Sequence, residues 1–181
     1  MVTIMKSSTR RKQIFDVVLI AICTALLTSL EVALSFLPNI QLTFLLIIVF
    51  SKVLKTKKTL IIIILHVIID NLIMASFNVI FVFVMMLGLM VVPITLNTIF
   101  KKVSSPLGLA GLSIIYALIY SWMFVIPSVL LLKTDFKIYL IQDLPFEGLL
   151  AGSSFLSVLW LYTPLTNIIS NFIKQDNQQA I

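Results

Sequence analysis

Long apolar runs, separated only by short polar or basic loops, fill the chain from Ile14 to Phe172. A helix needs about 20 apolar residues to cross the roughly 30 Å hydrocarbon core of a bilayer. Several runs here reach that length. Of the 181 residues, 60% are hydrophobic and only 11% are charged, and the mean hydropathy is +1.15. A soluble domain is close to half apolar and about one quarter charged. One soluble core of this size cannot hide that excess. The composition therefore excludes a soluble enzyme, a disordered chain and a nucleic-acid-binding module. It predicts an all-α integral membrane protein, because a helix satisfies its own backbone in lipid. Residues 1–181 read as a single transmembrane domain, with no soluble domain, linker or internal repeat.

Six spans are expected, at about 14–36, 40–54, 59–76, 79–100, 107–132 and 144–172. The first has a basic flank and an Ala33-Leu34-Ser35 that imitate a signal peptide. Its apolar stretch is longer than a typical signal core and carries Glu31, so it reads as a retained helix. Pro38 and Asn39 break the chain before the second span. A 15-residue helix rises roughly 22 Å, short of the hydrocarbon thickness, so this span is either a short crossing helix or a re-entrant one. Pro93, Pro127 and Pro164 mark kinks or ends in later spans.

Charge sets the expected topology. With six spans and a cytoplasmic N-terminus, eleven of the 13 basic residues fall inside. They are Lys6, Arg10, Arg11 and Lys12, then Lys52, Lys55, Lys57 and Lys58, then Lys101 and Lys102, then Lys174. Only Lys133 and Lys137 fall outside, beside Asp135, Asp143 and Glu147. This is the positive-inside pattern, and it places both termini in the cytoplasm. Five spans would put a lysine cluster on the wrong side. The net charge of +6 is therefore a topology signal, and no nucleic-acid partner is expected.

Catalytic signatures are missing. No glycine-rich phosphate loop, H-E-x-x-H or G-x-S-x-G occurs, and His66 is the only histidine. A single cysteine, Cys23, leaves no disulfide and no metal cluster. No cofactor, metal or enzymatic activity is expected. Asp70 is the one deeply placed carboxylate, with no partner visible in the sequence.

Three patterns remain. In the first span Ala21, Ala25, Ser29 and Ala33 recur every four residues, a stripe that lets another helix approach closely. That helix belongs either to this bundle or to a partner. Thr24, Thr28, Glu31 and Ser35 form a polar stripe beside it. In the third span His66 and Asp70 are spaced i, i+4, about mid-membrane by residue count. They serve a proton-coupled step, or they satisfy each other and their neighbours. The outer ends concentrate Glu31, Asn39, Gln41, Asn78, Gln142, Asp143 and Glu147, and Tyr116, Tyr120 and Trp122 lie along the fifth span in or approaching its outer half. Amides and carboxylates beside an aromatic suit a small organic ligand, and they equally suit solvated loops with an interfacial aromatic belt. Gly148 and Gly152 mark close helix packing.

Six short-looped helices and Ala21-Ile22-Cys23-Thr24-Ala25 in the first of them resemble the substrate-binding S components of energy-coupling factor (ECF) transporters. Leu37-Pro38-Asn39-Ile40-Gln41-Leu42-Thr43 is similar to that family's junction into a short second span. Asp143-Leu144-Pro145-Phe146-Glu147 and Leu161-Tyr162-Thr163-Pro164-Leu165 are similar to the two ends of its last span. The resemblance covers about residues 12–172. It implies a subunit that captures a vitamin or related micronutrient at the outer face of a prokaryotic plasma membrane. It implies docking on a shared transmembrane coupling subunit that carries two ABC ATPases, through the small face at Ala21, Ala25 and Ser29. It further implies a pocket near the outer surface, capped by the loop after the first helix. The residues expected there are Asn39, Gln41, Asn78, Trp122, Asp143 and Glu147. This sequence departs from some members in having few glycines around the second and third spans. The competing readings are a stand-alone secondary transporter or channel using His66 and Asp70, and a membrane scaffold without a ligand.

Overall fold

The apolar runs fold as helices. A computed structural model describes residues 2–75, 77–133 and 135–179. Among these the elements are α1 (Val2–Leu34), α2 (Thr43–Ile73), α3 (Val79–Asn97), α4 (Pro106–Leu132) and α5 (Phe136–Gln179), with no strand. Ser76, the expected last residue of the third span, lies outside the described residues. Four stretches are long and apolar enough to cross a membrane: Arg10–Leu34, Val79–Asn97, Pro106–Leu131 and Phe136–Gln175. The chain is built as a multi-pass membrane protein.

The second and third expected spans join end to end in α2. Lys55 breaks them apart with φ 65° and ψ 172°, so 43–54 and 56–73 are separate helical segments, six in all. A non-glycine residue at positive φ costs on the order of 1–3 kcal/mol and persists only where its surroundings hold it. Here α3 does so. Asn97 donates one Nδ2 hydrogen bond to the Ser51 carbonyl at 3.1 Å and another to Thr56 Oγ1 at 3.0 Å. The carbonyls just before a helix break have lost their i+4 donors and need such partners.

Segment 43–54 is the centre of the bundle. Residues 44–50 are each at most 1% exposed, and α2 packs against α1, α3, α4 and α5. A helix apolar on every side belongs in a core. This explains how a segment so short and so uniformly apolar is accommodated.

α1 divides its faces as the two sequence stripes predict. Leu19, Cys23, Thr24, Leu27 and Thr28 are buried against the bundle, whereas Ala21, Ala25, Ser29 and Ala33 are exposed. Among the described residues the small-residue stripe thus lies on the exposed side of α1.

The helix opening at the expected sixth span starts earlier than 144. Asp135 accepts from the backbone N–H groups of Lys137 and Ile138, so α5 begins at Phe136. Pro145 is carried inside the helix rather than at its start. The asparagine-like capping role of Asp135 was hidden by the charged, mixed composition of 133–143.

α3 lies close against α4 at Gly88. A Cβ there would lie 2.8 Å from Tyr120 Cδ2. The Tyr120 ring cannot easily retreat, because Phe44 and Phe124 hold it edge-on at 5.7 and 5.0 Å. Gly88→Ala is expected to lower the thermal unfolding midpoint of the purified protein, at an overpacking cost of about 1–3 kcal/mol. Gly111→Ala, with nothing within 4 Å of its new methyl, should leave the midpoint unchanged.

Candidate functional site

Helix α1 ends at Leu34 and α2 begins at Thr43, so residues 35–42 form a loop over the start of the central segment. Asn39 takes a left-handed conformation there, φ 54°, which asparagine tolerates better than most residues. Ser153 of α5 reaches the Asn39 carbonyl at 3.4 Å. Two cavities open beneath this loop, and Asn39 and Gln41 line both.

The first cavity, about 280 Å³, lies between α1 and the far end of α2. Its polar wall is Glu31, Ser35, Asn39, Gln41 and Asp70; Leu34, Leu37, Pro38 and Met74 complete it. Behind this wall is a buried polar cluster. Thr43 donates to Glu31 Oε2 at 2.6 Å, and His66 Nε2 stands 3.2 Å from the same oxygen without making a hydrogen bond. Thr28 Oγ1 meets His66 Nδ1 at 3.0 Å. Glu31 thus sits at the N-terminus of α2, where a carboxylate is favoured by the helix dipole. Asp70 is 7% exposed, and its Oδ1 has no hydrogen-bond partner.

The second cavity, about 270 Å³, lies between α3, α4 and the start of α5. Phe81, Tyr120, Phe124 and Tyr139 give it an aromatic wall, and Ser121, Ser128 and Asp143 give it a polar one. The aromatic rings form a connected set, with Phe81 stacked on Phe124 at 6.1 Å and Phe124 edge-on to Tyr120. Ser121 donates to Asp143 Oδ2 at 2.9 Å, which orients the carboxylate. Flat apolar walls with a few fixed polar groups can hold a ring-bearing small molecule.

The structure brings Asn39, Gln41 and Asp143 together at these cavities. Trp122 is 58% exposed and lines neither. Tyr120 and Trp122 are two residues apart, roughly 200° around a helix, so only one can face inward. The inward one is Tyr120, and the sequence signal was its i, i+4 register with Phe124 and Ser128. Asn78 caps α3, accepting from Ile80 N and Phe81 N at 3.0 and 3.4 Å, and it lines neither cavity. Glu147 is buried on α5 with an unpartnered Oε1, away from both cavity walls.

Two expectations about Asp70 change. It does not lie midway along its span: it stands three residues before the end of α2, facing Pro38 and Asn39. Nor is it the one deep carboxylate, because Glu31 shares its cavity. Among the described residues no group of three or more ligating side chains is arranged to hold a metal ion.

The chain matches no protein-family model, and comparison with curated proteins and with solved structures returns no match either.

The Glu31–Thr43 hydrogen bond joins α1 to the start of the central segment. In a double-mutant cycle of Glu31→Gln with Thr43→Val, read by thermal unfolding, the two effects should not add. A coupling of about 1.5–3 kcal/mol is expected for a hydrogen bond to a carboxylate. Additivity would show that the contact contributes nothing.

Proposed function

We propose that this chain is the substrate-capture S component of an ECF-type importer in a prokaryotic plasma membrane. It crosses six times with both termini cytoplasmic. It binds a vitamin or related micronutrient at the outer face and delivers it through a transmembrane coupling subunit driven by two ABC ATPases. ATP hydrolysis belongs to those partners, and the chain itself is no enzyme.

The observation that carries this reading is the division of labour on α1. Its outward face offers the small-residue stripe Ala21, Ala25 and Ser29, exposed among the described residues. Its inward face carries Thr28 and Glu31 to the first cavity. A capture subunit needs both, one surface for close approach of a partner helix and one recess for a ligand. The aromatic second cavity and the Asn39–Gln41 pair supply a setting for a heteroaromatic compound, since amides both donate and accept. Both cavities lie at the end away from the lysines of 52–58, which is the outer end under the positive-inside rule.

One observation favours the second reading, a stand-alone secondary transporter. His66 has a second carboxylate beside it in Glu31, so a proton relay through Glu31, His66 and Asp70 has the groups it needs. Substrate uptake by this chain alone, abolished by an uncoupler, would decide for it.

Ala25→Trp is expected to prevent co-purification with the coupling subunit and to stop uptake. The small molecules retained by the purified chain, read by mass spectrometry, should be unchanged. If complex formation survives the tryptophan, the outward face of α1 is not the docking surface. For topology, single cysteines at Lys57, Lys102 and Lys137 in a Cys23→Ala background are informative. Only the one at 137 should react with an impermeant thiol reagent in whole cells.

A further inference from the structure

We infer that the cavity between α1 and α2 recognises the positively charged nitrogen of a small organic molecule, with Asp70 as its principal partner and Glu31 as its second. The substrate class is then a protonated amine joined to a ring, the ring lying in the neighbouring aromatic cavity. This deepens the proposed function and rests on the same site.

The argument starts from charge. Glu31 and Asp70 line one cavity, and no lysine or arginine lines it. Glu31 is partly matched, by the Thr43 hydroxyl, by the start of α2 and by His66 at 3.2 Å. Asp70 is not. It is more than nine-tenths buried, and its Oδ1 is without a hydrogen-bond partner. A carboxyl buried without a partner either gives up its charge or takes a cation, because an unpaired charge there is costly. A bound cation removes that penalty.

The choice of an organic cation follows from the surroundings. The donor set lacks the convergent geometry of a metal site among the described residues. Asn39 and Gln41 border this cavity and the aromatic one together, so a single elongated molecule can touch both. In the aromatic cavity Asp143 adds another acceptor, and Tyr120 and Phe124 offer ring faces that attract cations and flat rings alike.

The test uses the purified full-length chain without its partners and three probes of one shape: 4-(aminomethyl)pyridine, 4-(hydroxymethyl)pyridine and pyridine-4-carboxylate. Sodium chloride titrated alone, without any probe, forms a further arm. The amine should raise the unfolding temperature in a concentration-dependent way, and the alcohol and the carboxylate should not. Asp70→Asn should weaken the amine effect about 10- to 100-fold, the range expected for a hydrogen bond to a charged group. If Asp70→Asn fails to fold, Glu31→Gln is read instead, and it should weaken the effect about 10-fold. Equal stabilisation by the alcohol or carboxylate, no effect of the amine, or an amine effect untouched by both substitutions would overturn the inference. Stabilisation by sodium alone would overturn it too, in favour of an inorganic ion site. Amine binding without complex formation would uphold this cavity while removing the importer reading. Complex formation without amine binding would do the reverse.

Discussion

A helical segment buried on every side is the constraint on which this bundle depends. Residues 43–51 are all buried, so the neighbouring helices share the task of covering them. The start of segment 43–54 lies inside protein, where a helix end without partners is costly. At the start, Thr43 meets Glu31 from α1. Near its end, the Ser51 carbonyl takes a donor from Asn97 of α3. The polar residues of α1 and α3 that look out of place in apolar helices are thus the fittings of the central one.

The same segment makes the site. Its dozen residues rise roughly 18 Å, well short of a roughly 30 Å hydrocarbon core. If the segment lies within the membrane, the loop of 35–42 shares its depth, and backbone there cannot face lipid unsatisfied. Irregular backbone at such depth is tolerated where it borders a cavity, and Asn39 and Gln41 border two. The recess is a geometrical consequence of a short helix among longer ones. The polar side chains around it make it useful.

Much of this was legible in the residues. Apolar run lengths predicted the helices, and the four-residue recurrence of Ala21, Ala25, Ser29 and Ala33 predicted a face of its own. The Pro38–Asn39 break located the loop. What the sequence could not provide was distance between helices. Glu31 lies 35 positions before His66, and nothing in the chain order pairs them. Helical phase decided Tyr120 over Trp122, and phase is readable only once the buried side of α4 is known. Asn78 shows a different limit: an amide before an apolar run serves equally as a cap or as a ligand contact, and here it caps.

The packing between the two ends bears on how a ligand would leave. A channel needs a continuous polar path, and many secondary transporters bind near mid-membrane between repeated halves. Below the two cavities Ile47, Ile48, Phe50, Ile62, Ile63 and Leu96 are fully buried and Leu89 is nearly so, and interiors of this kind are close-packed. The break at Lys55 lies at the opposite end from the cavities, beside the Lys58–Asp16 ion pair, and lines neither of them. The polar cluster of Glu31, His66 and Asp70 reaches no further along the bundle than Thr28 and Thr43. Beneath the 35–42 loop the cavities therefore give way to tightly packed apolar side chains. Passage to the far side would need these packed side chains to separate, or the bundle to move as a body. The structure thus shows two recesses at one end of the bundle and a tightly packed middle.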